Sequence, residues 1–504
     1  MKKLLALLMA FALAFQLATP VFAETGNASG TCGDNLTWTF SPNGALTISG
    51  SGDMSYDKIA PWYCYREQIT SVTMKPGITS IGANAFSDCA SLVSVEIPAG
   101  VTAIGESAFK DCGSLTNVKI PDGVTSIGAW AFWGCYALTN VKIPEGVTSV
   151  NVSTFWGCDA LTSVTIPESV TSIGASAFEG CGKLTNAKIP EGVTSIGKRA
   201  FSGCSSLTGV KLPQGMTQIE ALAFDSCARL TSMEIPTGVT SIGECAFLGC
   251  SGLTKVTIPE GVTSIGYSAF SGCDSLTSIE IPQSVTEIGG FAFSMEVGET
   301  AFSFCKRLRS IQVDSKNANY TSIDGVLFSK DGTRLLQYPK GKTNATYTIP
   351  ASVASIDRLA FYGCGNLRDI LVDDKNTSYT SVDGILFSKD GTQLLRYPVA
   401  KADATYVIPE GVVSIGESAF CGCKNLTKVT MSESVTSIGD LAFHNCVNLS
   451  SVMIPASVAS IGTGLFEGCD KLKDVYYSGS ESEWEPMAPA VSDDSVTIHY
   501  DATW

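Results

Sequence analysis

Apolar and polar positions along this chain follow one order that returns every 23 residues. In residues 115–135 (LTNVKIPDGVTSIGAWAFWGC), Val118 and Ile120 alternate with Asn117 and Lys119, the period of a half-buried strand. Pro121 has no N–H to give and ends the ladder. Asp122-Gly123 turns the chain, Val124 and Ile127 point back inward, and Gly128 permits a second tight turn. Ala131, Phe132 and Cys135 stand near helical spacing, which predicts a short helical or 3₁₀ turn before Leu138 opens the next strand. One such unit cannot bury its own Val, Ile, Phe and Leu; stacked on its neighbours it forms a continuous core, one layer per coil.

The array predicted is therefore a β-rich, right-handed solenoid of 23-residue coils. Its frame is kept by Cys89, Cys112, Cys135, Cys158, Cys181, Cys204, Cys227, Cys250 and Cys273 at unbroken spacing. Cys305 follows nine residues late, because 288–293 is partly repeated at 297–302, which predicts a local bulge. Cys305 to Cys364 and Cys364 to Cys423 are longer units of 59 residues. Their near-identical insertions, 320–340 and 379–399, each read as two strands around a Lys-Asp-Gly turn, a hairpin projecting from the stack. Ordinary units return through Cys446 and Cys469.

The ends depart from this pattern. Met1-Lys2-Lys3, an apolar run to Leu17 and Val21-Phe22-Ala23 make residues 1–23 a secretory signal peptide. Residues 24–74 read as strand, turn and strand with Ala60-Pro61-Trp62, an amino-terminal β cap over the first coil. The repeats occupy 75–471, and 472–504, with Val475-Tyr476-Tyr477 and Trp484, read as a carboxy-terminal cap. No other stretch has the 18 apolar residues of a membrane span. The formal charge of −15, or −17 once Lys2 and Lys3 leave with the signal, disfavours nucleic acid as a partner.

The consensus Leu-x-x-Val-x-Ile-Pro-x-Gly-Val-x-x-Ile-Gly-x-x-Ala-Phe-x-x-Cys, running over about 70–472, resembles the leucine-rich repeats of BspA-like bacterial surface proteins, the Treponema pallidum type. The resemblance implies a leucine-rich repeat solenoid at the cell surface that attaches to host matrix proteins or to other bacteria. It implies no cofactor. The amino-terminal hairpin and the carboxy-terminal tail also resemble the end segments of Firmicutes members.

Candidate chemistry is sparse. Fourteen of the 18 cysteines hold one repeat position and should form a buried ladder of free thiols, while Cys32 and Cys64, both in the amino-terminal segment, are a candidate disulfide. Of the two histidines, His444 takes a variable repeat position and His499 lies in the tail, and no zinc, nucleophile or Gly-x-Ser-x-Gly motif occurs, so the chain reads as no enzyme. Residues 373–376 (DDKN) lack the spaced ligands of a calcium loop and read as a solvated turn.

Two surface features remain as candidate binding residues. The outward strand row reads Asn117 and Lys119, Asn140 and Lys142, then Lys188 and Lys211, a basic stripe on an acidic chain. Trp133 and Trp156 share one repeat position that other coils fill with Lys110, Glu179, Ser202 or Asp225, so the position should face solvent; Trp130 and Tyr136 lie close by. Such an aromatic patch suits a protein's apolar surface or a sugar ring. The reading is an exported recognition protein, with a glycan-binding module or a structural surface-assembly component as alternatives.

Overall fold

The computed structural model describes residues 27–56, 59–289, 301–302, 304–488 and 496–503. The signal segment, the bulge foreseen within 290–300 and part of the carboxy-terminal segment lie outside the described residues. The chain forms two compact units, Met1–Ser169 and Val170–Trp504. Both are β-solenoids.

Unit 1 opens with an antiparallel meander, Ala28–Gly33, Leu36–Phe40 and Ala45–Gly50. Its last strand pairs in parallel with Ser71–Met74, which pairs with Ser94–Glu96 and so with Asn117–Val118. The meander thus feeds straight into the solenoid ladder. Within each rung only alternate residues are buried: Val95 faces the core while Ser94 and Glu96 face out. A second parallel ladder, Ile78–Ile81, Ala103–Ile104 and Ser126–Ile127, lines another side. Threonine hydroxyls bind successive coils together, as Thr102 and Thr125 donate to the carbonyls of Thr79 and Thr102.

The segment expected to be helical takes another form. From Ser107 to Cys112 the backbone N–H groups alternate in their partners. Those of Ala108, Lys110 and Cys112 bond the carbonyl three residues back, and those of Ser107, Phe109 and Asp111 bond Ala129, Ala131 and Trp133 of the next coil. Ser107 and Asp111 adopt left-handed φ of 54° and 57° to make this possible. A helical turn would keep every N–H within its own coil; the alternation leaves half of them to join coils. Gly128 serves close approach more than turning: a Cβ there would come 2.4 Å from the Glu106 nitrogen.

The core of unit 1 is a column of rings. Phe86, Phe109, Phe132 and Phe155 stack at 5.2, 5.3 and 5.5 Å between centroids. Trp62 tops the column, 5.7 Å from Phe86, and its Nε1 donates to the Ala85 carbonyl at 2.7 Å. Beside the rings run the repeat thiols. Cys112, Cys135 and Cys158 each donate Sγ–H to the phenylalanine carbonyl 26 residues earlier, at 3.1, 3.2 and 3.3 Å.

Unit 2 repeats this plan, with rings from Phe178 to Phe270 at 5.3 to 5.6 Å. In the long coils the Lys-Asp-Gly hairpin is Val326–Ser329 with Arg334–Gln337. It carries a third antiparallel strand, Tyr320–Ile323, and its last strand pairs in parallel with Ser355–Ile356. The insertion is therefore also a rung of the solenoid, and Val326, Phe328 and Leu335 are buried in the core. Residues 379–396 repeat the arrangement. After Asp474–Tyr477 comes a short helix, Glu481–Trp484, whose Trp484 is buried, and Thr497–His499 adds a last parallel strand.

Candidate functional site

All four candidate aromatic residues belong to unit 1, on the turn segments of two neighbouring coils. Ala131, Phe132 and Phe155 point inward, so the residue after each phenylalanine points out. This places Trp133 and Trp156 in register, and their rings stack at 4.7 Å and 9°. The Lys110 ammonium lies 4.8 Å from the centre of the Trp133 ring, with Asp111 4.0 Å from that ammonium. Burial raises the Asp111 carboxyl above its usual range, with Lys110 opposing the shift.

The expectation that Trp133 and Trp156 face solvent needs correction. Both are half-buried, because a wide side chain at this position lies against its counterpart one coil away. One face of Trp133 is taken by Trp156 and another contact by Lys110. The rings that remain open are Trp130, 38% exposed, and Tyr136, 48% exposed. Trp130 stands at a left-handed backbone position, φ 57°, that neighbouring coils fill with Ser107 and Ser153. Tyr136 spans two flanking coils: a Cβ would lie 3.4 Å from its ring at Gly113 and 3.6 Å at Gly157. Exposed Val152 accompanies them, its carbonyl accepting from the Trp130 N–H. Among the described residues neither open ring stacks on the tryptophan pair.

The polar row lies on the strands instead, and within unit 1 no hydrogen bond or ion pair joins Asn117, Lys119, Asn140 or Lys142 to the aromatics among the described residues. In unit 1, Asn117, Lys119, Asn140 and Lys142 are exposed. The Asn140 Oδ1 accepts from Ser163 at 2.7 Å, and Lys142 pairs with Asp122 at 3.4 Å. In unit 2, Lys188 is exposed and Lys211 pairs with Glu191 at 2.5 Å. That hydrogen bond holds Glu191 below the usual carboxylate range. Acids of the preceding coil thus offset Lys142 and Lys211, and the row is less basic than its lysines alone suggest.

The repeat thiols are buried in the core. Burial pushes Cys89 up to about 12 and Cys32 up to about 11, so both stay protonated near neutral pH. Cys32 is buried and Cys64 exposed, and both are free thiols. His499 bonds Asp474 at 2.8 Å, and His444 sits 3.6 Å from Glu467. Among the described residues no group of three or more His, Cys, Asp or Glu is placed to hold a metal ion. Sequence reasoning missed Asn376, which is 1% exposed and no solvated turn residue. Its amide donates to the carbonyls of Pro350 and Val353 and accepts from the N–H groups of Ser378 and Tyr379. The signal was its exact counterpart Asn317 in the other long coil, which makes the equivalent bonds.

A family model described as the BspA type leucine-rich repeat region matches at residues 57–185, 171–297, 295–382 and 403–487. No curated protein matches the chain. A leucine-rich repeat protein from Bacteroides ovatus, whose crystal structure is known, is 26% identical over 93% of this chain and 98% of its own, with a TM-score of 0.44. A leucine-rich cell surface protein from Faecalibacterium prausnitzii is also 26% identical, over 94% and 100%, with a TM-score of 0.44. The T. pallidum leucine-rich repeat protein is 23% identical over 47% and 86%, with a TM-score of 0.27.

Proposed function

This chain belongs to the BspA-type leucine-rich repeat family, and from that premise we propose that it is an exported, non-catalytic recognition protein, a cell-surface adhesin whose partner is a host matrix protein or another bacterial surface protein. Residues 1–23 serve as its export signal, 24–74 and 472–504 as caps, and 75–471 as the display surface. Among the described residues no helix is long and apolar enough to cross a membrane.

The observation that carries the reading is the open aromatic surface of unit 1. Coil residues that face inward are nearly invariant along this chain, while those on the turn vary freely, the division of labour of a solenoid that binds. Trp130 and Tyr136 are exposed at positions that other coils fill with residues as different as Ser107, Ser153 and Leu222, or Gly113, Asp159 and Val447, so the frame does not require an aromatic ring at either. A tryptophan at a left-handed position costs about 1 kcal/mol of backbone strain that glycine would avoid. Exposed aromatic anchors beside Val152 suit a protein's apolar surface. The stacked pair Trp133 and Trp156 lies on the same turn segments of unit 1, and Asn117, Lys119, Asn140 and Lys142 are exposed on its strands, with Lys188 and Lys211 continuing the row in unit 2.

A second reading, glycan binding, is favoured by the open Tyr136 ring, which lies across glycines and could receive a sugar face. Exposing the purified chain to immobilised fibronectin and fibrinogen and to a glycan array separates the two. Retention on a matrix protein and silence on glycans supports the first reading. Glycan binding alone replaces it, and silence on both surfaces sinks both.

A further inference from the structure

Unit 2 contains a groove where the ordinary coils meet the first long one. It encloses about 250 Å³ across the ends of Lys255–Thr257, Ser278–Ile281 and Ser310–Val313. Ile258, Ile281 and Pro282 form its apolar floor, and Glu260, Glu280 and Asp314 its rim. The groove has a local cause. In place of the usual Pro-x-Gly turn the chain makes a tight turn at Asp314, where the Asn317 N–H bonds the Asp314 carbonyl at 2.9 Å. The Asn317 amide pins that turn to the carbonyls of Pro282 and Val285. The Asp314 carboxylate is held in place by the Lys316 N–H at 2.7 Å.

Glu260 and Glu280 are exposed and make no ion pair among the described residues, in contrast to Glu191 with Lys211. The fold does not demand an acid at Glu280, while Glu260 stands at the turn position that other coils fill with Asp122, Glu145, Glu168 and Glu191. The second long coil repeats the meander with Thr348 in place of Glu280 and Leu371 in place of Gln312, keeping only Asp373 for Asp314.

We infer that this groove is a docking surface for an extended basic segment of a protein partner, one of whose arginine or lysine side chains enters it. The apolar floor takes the aliphatic stem and the carboxylates take the charged head, the two parts into which such side chains divide. At about 250 Å³ the groove is smaller than the roughly 300–1,000 Å³ of small-molecule sites and has room for a side chain. The chain's charge of −15 draws a basic segment from solution. This site belongs to unit 2, and the inference does not depend on the aromatic surface of unit 1.

The test uses the full chain and an acetylated, amidated peptide of three Ser-Arg-Gly units, with the same peptide carrying neutral citrulline for arginine. Saturation-transfer NMR and titration should show binding of the arginine peptide only, weakening as NaCl rises from about 50 to about 300 mM. A Glu260→Gln, Glu280→Gln double variant should bind about 10-fold more weakly, the effect of losing charge-assisted bonds. Glu191→Gln, an acid on another coil, should leave binding unchanged. Equal binding of the citrulline peptide, unchanged binding by the double variant, or no binding of the arginine peptide overturns the inference.

Discussion

Asn317 ties the first long coil to the coil before it, and its removal gives a sharp test of how the insertions are held. The residue is fully buried. Its Nδ2 donates to Pro282 at 2.8 Å and Val285 at 2.9 Å, and its Oδ1 accepts from Asn319 at 2.9 Å and Tyr320 at 2.8 Å. Asn317→Ala strands two carbonyls and two N–H groups at once. A buried group left unpaired costs about 1–3 kcal/mol, and water reaching the exposed Asn319 and half-buried Tyr320 softens the sum to about 3–5 kcal/mol of local stability. A repeat protein need not unfold in one step, so a global melting curve would blur this. Hydrogen exchange by mass spectrometry resolves it locally: peptides covering 314–337 should exchange about 150- to 5,000-fold faster. The untouched second insertion, peptides 373–396, is the control inside the same molecule and should not change. Exchange in 314–337 within about threefold of the wild type would refute the claim that this amide fastens the insertion.

Other expectations follow from the same contacts. Buried thiols such as Cys89, Cys250 and Cys423 titrate near 12 against 9.0 in the unfolded chain, so the folded protein keeps protons that the unfolded one releases. Stability should therefore fall as pH rises from about 9 towards about 12; a melting temperature flat across that window would contradict the ladder's burial. Alkylation of the native protein should label Cys64 first and leave most repeat cysteines unlabelled until denaturant is added, as peptide mapping would show. The stacked pair makes Trp133→Ser with Trp156→Ser cost about 1–3 kcal/mol, read as a lower melting temperature. Trp130→Gly, which relieves a left-handed backbone, should hold or raise that temperature. Deleting 24–74 removes the Trp62 ring from Phe86 and bares the core's first layer, so the product should aggregate on size exclusion; a monodisperse folded product would count against a capping role.

The period of the chain carried most of the fold. Val118, Ile120, Phe132 and Leu138 are buried as their spacing required, because one frame serves every coil and errors in one copy are outvoted by the rest. The turn from Gly128 to Cys135 was misread, since Ala131, Phe132 and Cys135 fit helical spacing equally well. Only the demand that N–H groups reach the next coil decides against a helix, and a single coil's letters do not express that demand. The hairpin's third strand escaped for a related reason: Tyr320 to Ser329 reads as one strand before the Lys-Asp-Gly turn, and only the left-handed Asp324 and Gly325 fold Tyr320–Ile323 back on Val326–Ser329. At the candidate site, position in the repeat placed Trp133 and Trp156 side by side but could not give their exposure. That depends on Lys110, one coil earlier, lying over the ring. Likewise the acids that pair Lys142 and Lys211 come from the coil before, 20 residues away in sequence.

The account's central claim is that the open aromatic surface of unit 1 makes the contact with a protein partner. Biolayer interferometry of the wild type and of a Trp130→Ser, Tyr136→Ser double variant, on whichever matrix or bacterial surface protein retains the wild type, tests it most directly. The double variant should keep its melting temperature within a few degrees, because neither ring is buried, and should lose about 2 kcal/mol of binding, roughly 30-fold, mainly through faster dissociation. Equal affinity of the two proteins on that surface would contradict the claim.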